Sequence, residues 1–447
     1  MTEQKTITEF LSKEYKEFSL YVIENRAIAS VIDGLKPVQR KILHICNSTW
    51  KTGTEKTLKV FQLSGKVASD AYYHHGSSSL DSAIINLAQS FKNNMPLLEE
   101  DGQFGSLRVP EAGAPRYIGT RLHKNFKNVY CDFELLNYKL EEGESIEPEY
   151  FLPIIPMILI NGSSGIAVGF SSNIINRNPI DVISACEQVM KGKKITKINP
   201  YIPGFTGSFI QDVTNHKRWI ITGKFERVNT STIKITELPP SSTFEKYESI
   251  LDELVDKKII NSYDNNCKDN IDYTIKMSRE SLSSYTDEEL MKILKLEEYK
   301  TEIFSTLDEH GKLKIFESAE EIIKYFVDFR IQFYQKRKDL IIQKIDRDLL
   351  ILSNRARFLK MIIEGKLEVK GIQKSVIFEK LEKSKFDKID DNYDYLLRMS
   401  IWSLTKEMYE KILQEEADLV VELEKTKKLE PKMMYFSDLQ DLRKKLK

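Results

Sequence analysis

The sequence predicts an α+β protein of several domains, with a helical first third, a strand-rich middle and a long antiparallel pair of helices at the end. Three observations carry this. Apolar residues recur at helical spacing as far as about Phe91. Residues from about Ile202 to Lys314 alternate with strand period. From Ala319, apolar residues alternate threes and fours over some 44 residues, enough for a helix of roughly 65 Å. At 447 residues the chain has room for two or three domains with substantial cores. They are placed at residues 1–155, 156–318 and 319–447.

Charge is balanced, with 67 basic and 67 acidic residues, so a polyanion site has to come from clustering. Cys46, Cys131, Cys186 and Cys267 form no close pair, which argues against zinc and a disulfide framework and fits a reducing interior. The longest apolar run, Phe151–Ile160, is about half a membrane span and holds Pro153 and Pro156. No signal peptide precedes Met1-Thr2-Glu3. A soluble cytoplasmic protein with no membrane partner is expected.

Taken in order, Ile7–Ile28 reads as a helix with Phe10, Leu11, Tyr15, Phe18 and Val22 on one face. Asp33-Gly34 is a turn, and Pro37 opens a helix to about Asn47. Its apolar face of Val38, Ile42 and Ile45 leaves Lys36, Arg40 and Lys41 projecting together. Between Arg26 and Lys66 basic residues far outnumber the acids Asp33 and Glu55, either a solvated face or a phosphate-contacting surface. Val60–Tyr72 and Ser77–Phe91 read as two helices joined by Tyr73-His74-His75-Gly76, with Ser77 as N-cap. Such a pair either forms a DNA-reading helix-turn-helix, with Ser77, Ser78, Ser79 and Ser82 at the exposed start of its second helix, or binds nothing. The adjacent histidines cannot readily chelate one metal.

Asp101–Leu122, DGQFGSLRVPEAGAPRYIGTRL, is punctuated by Gly102, Gly105, Pro110, Gly113 and Pro115, so helix and central strand are excluded. Arg116-Tyr117 sits near its end. A phenol is a poor nucleophile unless a cation stabilises its anion, and attack on a phosphodiester would give a reversible phosphotyrosine ester. The alternative is a tyrosine packed into a core at a helix start. The acidic stretch Glu134–Glu149 reads as a solvated loop. In Met157–Phe170 an apolar strand meets the turn Asn161–Gly165 and a second apolar strand follows. This hairpin either presents Ile166 as a wedge between base pairs or is simply buried.

The middle region reads as strands at Phe205–Ile210, Trp219–Arg227, Thr232–Glu237 and Ile271–Met277, with a helix at Phe244–Lys258. After the long helix, a returning one carries Leu397, Ile401, Leu404, Met408, Ile412, Leu419 and Leu423, with Leu367–Arg398 as a small globule between. Such a tip suits a dimer contact. Leu429–Lys447 is charged and reads as returning along the base of the stalk.

The strings DGLKPVQRK, AYYHHGSSSL, DGQFGS, APRYIGTRL, EPEYFLPIIPMILINGSSGIAVGF, FYQKRKDL, KMIIEGKLEV and YDYLLRMSIWSLTKE, in this order, resemble the DNA breakage-reunion subunit of type IIA DNA topoisomerases. The histidine pair and stalk strings resemble the eukaryotic members. The short length, with no appended C-terminal wrapping domain, resembles the bacteriophage-encoded ones. The resemblance implies a winged-helix DNA-binding domain at 1–155, an α/β tower domain with an intercalating hairpin at 156–318, and a coiled-coil stalk at 319–447. A dimerisation globule at about 366–408 would close an exit gate.

It further implies that Tyr117 attacks the DNA backbone and stays linked to a 5′ phosphate, with Arg116 stabilising the scissile phosphate. Arg26, Lys36, Arg40 and Lys41 would contact the backbone of double-stranded DNA. His75 would lie near the scissile phosphate, and Ile166 would intercalate and bend the duplex. Ser78 and Ser82 match positions where bacterial members contact quinolones. The second is acidic in those members and serine here, which leaves drug sensitivity open. Magnesium would be held by a Glu and an Asp-x-Asp cluster of a Toprim domain, and ATP by an ATPase. Neither signature reads in this chain, so no metal ligand is named here and both groups are assigned to a partner subunit. A homodimer that binds DNA alone but cleaves it only with its partner is expected. The competing reading is a non-catalytic DNA-bending or scaffold protein on the same fold. A winged-helix repressor would leave wedge and stalk unexplained.

Overall fold

The computed structural model describes residues 6–52, 55–268, 270–368, 371–399 and 405–446. The chain divides into two compact units, Met1–Arg330 with Asp438–Lys447, and Ile331–Ser437. Among the described residues no helix is long and apolar enough to cross a membrane.

The first unit opens with helices α1 (Ile7–Phe10) and α2 (Lys16–Val22), linked and followed by the π-helical stretches Leu11–Tyr15 and Ile23–Ala27. A capping box between Thr6 and Glu9 starts this rod, with Glu9 N–H donating to Thr6 Oγ1 at 3.2 Å. Of its predicted apolar face, Phe10, Leu11, Tyr15 and Phe18 are exposed, and only Val22 is half-buried, packed against the cluster of Ile23, Ala27 and Ile28. Helix α3 (Pro37–Thr49) begins at Pro37 as predicted and buries Ile42, Leu43, Ile45 and Cys46. Strand β1 (Leu58–Lys59), helix α4 (Val60–Asp70) and helix α5 (Ser77–Ala88) follow. They pack through Leu63, Val67, Leu80 and Ile84, all fully buried. Gly76, not Ser77, occupies the N-cap of α5.

Strand β2 (Gly119–Thr120) returns to pair antiparallel with β1. Helix α6 (Lys124–Val129) and strand β3 (Tyr130–Cys131) lead to the acidic stretch, which is a hairpin of β4 (Tyr138–Glu141) and β5 (Glu144–Pro148) instead of a solvated loop. Its Glu147 is buried. Strand β6 (Leu152–Pro153) pairs with β3, and Phe126, Tyr130, Phe133 and Phe151 cluster behind them. Met157–Ile160 forms a helical turn, α7, where a strand was predicted. All four residues are buried, and a short run buried all round carries no period to separate the two. The hairpin comes later, with β7 (Ser163–Ile166) pairing β8 (Ser171–Ile174).

Helix α8 (Pro179–Met190) is capped by Asn178, whose Oδ1 accepts from Ile180 N–H at 2.9 Å. Strands β9 (Ser208–Gln211), β10 (Arg218–Thr222), β11 (Lys224–Asn229) and β12 (Thr232–Glu237) then precede helix α9 (Phe244–Asp256). Strands β13 (Ser262–Asn265) and β14 (Tyr273–Lys276), helices α10 (Arg279–Ser284) and α11 (Asp287–Ile293), and strands β15 (Glu297–Thr301), β16 (Phe304–Leu307) and β17 (Leu313–Phe316) complete the region. The expected strand Trp219–Arg227 is two strands in different sheets, split at Gly223, where an added Cβ would lie 2.3 Å from the Glu237 carbonyl oxygen. One sheet runs β15-β10-β9; the other runs β11-β12-β14-β13 and is covered by α9, α10 and α11 through Tyr247, Leu251, Leu282 and Leu290.

Helix α12 (Ala319–Ile363) begins in the first unit, where Arg330 donates to Pro153 O at 2.9 Å and pairs with Asp132 at 2.5 Å. Its remainder belongs to the second unit with helices α13 (Lys374–Lys383), α14 (Asp394–Leu397) and α15 (Lys406–Lys428), and the first part of α16 (Pro431–Lys445) as far as Ser437. Lys338 meets Lys427 O at 2.8 Å, while Ala356 and Leu359 pack on Ile412, so α12 and α15 run antiparallel. Between them Phe358, Leu367, Ile377, Leu381, Phe386, Tyr393 and Leu396 form a separate core. Of the predicted returning face, Ile401 and Leu404 lie outside the described residues, and Leu397 ends the short α14 instead of joining α15. The end of α16 is back in the first unit, where Arg443 pairs with Glu187 at 2.9 Å.

Candidate nucleic-acid interface

Tyr117 stands at the end of the loop joining α5 to β2. The loop is clamped from its two sides. Gln89, buried at the end of α5, donates through Nε2 to Phe104 O at 2.8 Å. Arg108 reaches across to the β12–α9 turn, donating to Glu237 Oε1, Leu238 O and Pro239 O at 2.7 Å each. Gly105 is fixed by geometry, since φ is +86° and a Cβ would sit 2.8 Å from the Pro110 carbonyl oxygen.

Beyond the clamp, the first N–H groups of α4, which lack partners inside a helix, bind the loop's carbonyls. Val60 N–H donates to Ile118 O and Phe61 N–H to Pro115 O, both at 3.1 Å. Ile118 is buried, so the chain turns and throws Tyr117 outward, leaving it 67% exposed. The Arg116 guanidinium lies over the Tyr117 ring, 4.8 Å from its centroid. The Lys59 ammonium donates to the Tyr117 carbonyl at 2.7 Å. The Tyr117 ring is thus open to solvent beneath a guanidinium, whereas a core tyrosine would be enclosed.

A groove of about 590 Å³ lies between α5 and the β7–β8 hairpin, lined by Arg26, Lys36, Ser79, Ser82, Asn86, Lys92, Ser163, Ser164 and Lys300 among others. Arg26 is exposed on its wall. Lys36 is half-buried, its ammonium 2.7 Å from Ser164 O, and burial lowers its pKa. Ser78 faces the neighbouring cavity against the tyrosine loop, beside Ala112 and Pro115. His75 is exposed and bonded to Tyr21 at 3.0 Å; His74 is engaged separately by Glu141 at 3.0 Å. Ile166 ends β7 with its side chain 87% exposed. The hairpin turn is at residues 167–170, not at Asn161–Gly165 as predicted.

Two residues expected to project beside Lys36 turn inward instead. Arg40 is buried, its Nε 2.7 Å from Asp33 Oδ2 and its Nη2 also donating to Leu35 O. Lys41 donates to Ala71 O at 2.6 Å and pairs with Glu147 at 2.8 Å, its side chain 14% exposed. Helix α3 is packed on more than one side, so residues placed on its open face are consumed inside the fold.

Over residues 26–441 the chain matches the DNA gyrase/topoisomerase IV family, the one formed by the A subunits of those enzymes. It is 33% identical over 445 residues to the DNA topoisomerase medium subunit of enterobacteria phage T4, an alignment covering 98% of this chain and 99% of that one. The chain belongs to this family. The mitochondrial DNA topoisomerase 2 of Dictyostelium discoideum is 34% identical over 99% of this chain, which spans only 35% of that protein. The crystal structure of the DNA-binding, cleavage and re-ligation domain of Plasmodium falciparum topoisomerase II superposes with a TM-score of 0.85 at 32% identity, over 98% of this chain and 64% of that one. The chain thus spans about a third of the length of most of the curated topoisomerases it resembles.

Within this gyrase/topoisomerase IV chain, sequence reading missed Lys92, Lys300 and the asparagines of the groove. Lys92 is an isolated cation one residue beyond the predicted end of its helix, held by Asn86 Oδ1 at 2.8 Å. Lys300 comes from β15, more than two hundred residues away from α5 in sequence. Only the fold joins them, and no local pattern announces it.

Proposed function

We propose that this chain is the DNA breakage-reunion subunit of an ATP-dependent type IIA DNA topoisomerase. The observation that carries it is Tyr117, exposed beside Arg116 and Lys59 at the end of a doubly clamped loop. The phenolic oxygen attacks a backbone phosphorus and its proton leaves to solvent, while the bond to the 3′ sugar oxygen breaks and that oxygen takes up a proton from solvent to become a hydroxyl. A 5′-phosphotyrosyl ester remains, and its formation reverses when the sugar oxygen attacks back. Arg116 stabilises the phenolate and then the charge of the pentavalent transition state. Arg26 and Lys36 hold the duplex backbone along the groove, with Ser78 and His75 near the start of α5. Ile166 enters a base step and bends the DNA; unstacking costs on the order of a few kcal/mol, offset by the contacts a bent duplex adds. Residues 1–155 are read as the winged-helix domain, 156–318 as the tower and 319–447 as a coiled-coil stalk, with the globule at about 366–408 joining two protomers.

Among the described residues no three His, Cys, Asp or Glu side chains gather as a metal site. Magnesium and ATP are assigned, as the family resemblance implies, to a Toprim- and ATPase-bearing partner. The uncovered apolar face of α1 and α2 supports there being such a partner.

The test is to mix the chain with its partner subunit, magnesium, ATP and plasmid, then denature with detergent. Protein-linked linear DNA is expected from wild type and none from Tyr117→Phe, which should still bind duplex within a few-fold. Wild type without the covalent product would leave the DNA-bending scaffold as the better reading.

A further inference from the structure

The uncovered first rod and the histidine turn meet at one point. Tyr21, on α2, places its hydroxyl 3.0 Å from Nε2 of His75. Tyr73 closes the other side of the imidazole edge-on, with ring centroids 5.3 Å apart. Arg26, one turn beyond Tyr21, is close enough to act electrostatically on Tyr73, as is Tyr21. His74 is diverted to Glu141, so of the two adjacent histidines only His75 belongs to this cluster. His75 Nδ1 has no hydrogen-bond partner among the described residues.

A neutral imidazole carries one N–H and one acceptor nitrogen, and the bond made by one nitrogen fixes the role of the other. A phenol is the better donor of this pair. We propose that Tyr21 is a positioning residue for DNA contact: its hydroxyl donates to His75 Nε2 and thereby holds the Nδ1–H tautomer, which points a donor at a backbone phosphate. This rests on the placement of His75 beside the DNA proposed above. It also gives the first rod a second task. Whatever seats on its apolar face also sets the position of Tyr21 and, through it, of His75.

Two measurements on the full chain test this. With ¹⁵N-histidine labelling and His75→Ala to assign the resonance, the neutral form of His75 should read as the Nδ1–H tautomer. In Tyr21→Phe, which keeps the ring and loses only the hydroxyl, it should revert to the Nε2–H form that free imidazole favours. Duplex binding is then measured for Tyr21→Phe, His75→Ala and the double variant. Tyr21→Phe should weaken binding about two- to tenfold, the range of one net hydrogen bond. It should have no further effect once His75 is alanine. Full additivity of the two substitutions, or an Nε2–H tautomer in wild type, would overturn the inference. If His75→Ala leaves binding unchanged, the placement of His75 beside DNA fails, and the tautomer measurement still decides whether Tyr21 orients it.

Discussion

Arg40 and Arg116 are both arginines in segments whose strings resemble one family, yet one is buried in an ion pair and the other lies over an exposed ring. The sequence marked both as functional and could not separate them. An arginine's task depends on whether a carboxylate is brought to it, and Asp33 reaches Arg40 only through the turn that Gly34 N–H closes on Ser30 O. Arg40→Ala should therefore lower stability by about 3–5 kcal/mol, the usual penalty for stranding a buried charge. Denaturant titration would read this, while the fraction that remains folded binds DNA as before. Arg26→Ala and Lys36→Ala should do the opposite, weakening binding to every duplex sequence while leaving the unfolding midpoint nearly unchanged. Each should reduce the slope of log affinity against log salt by about 0.9. Burial also lowers the pKa of Lys36, so its charge is lost at a lower pH than that of an ordinary lysine. A phosphate stabilises the charged form, so duplex binding at alkaline pH should take up a proton. Calorimetry in buffers of different ionisation enthalpy would detect it, and in Lys36→Ala the uptake should vanish.

At the scale of elements, what the sequence conveyed depended on periodicity. Thr232–Glu237 was read to the residue and α12 to within one residue at its start, because one alternates cleanly and the other repeats over many turns. The β7–β8 hairpin was displaced, because Asn161-Gly162 resembles a hairpin turn but follows a buried helical turn. The family resemblance singles out Ile166 wherever the turn falls, and the residue is exposed at the end of β7. Its exposure is set by a tight backbone approach. A Cβ on Gly165 would lie 2.0 Å from the Ala27 carbonyl oxygen and 3.3 Å from Lys36 Nζ. Ala27 and Lys36 belong to main chain and groove wall that cannot retreat far. Gly165→Ala should consequently push β7 off its seat, displace both Ile166 and Lys36, and reduce duplex bending as much as Ile166→Ala does. Fluorescence transfer between duplex ends would measure the bend. Normal bending in Gly165→Ala with a lowered melting temperature would mean that the glycine serves packing alone.

For the whole molecule, the candidate site is confined to one of the two units. Tyr117, the groove and Ile166 all lie in the first unit. The second holds only α-helices and a small separate core among its described residues. On the proposed function Tyr117 of each chain cuts one strand, so a double-strand break needs two copies, and the globule of the second unit is the proposed contact between them. Replacing residues 366–404 by a short glycine-serine turn keeps α12 and α15 antiparallel through Lys338, Ala356, Leu359 and Ile412 while removing the core around Leu381 and Tyr393. Sedimentation should then show a shift towards monomer, and short duplexes should still bind within a few-fold because the groove is intact. Protein-linked linear plasmid should fall steeply in the presence of the partner subunit. Were the shortened chain to sediment as a dimer at the same concentrations, the contact between protomers would have to lie in the first unit, and the second would lose its assignment as the gate.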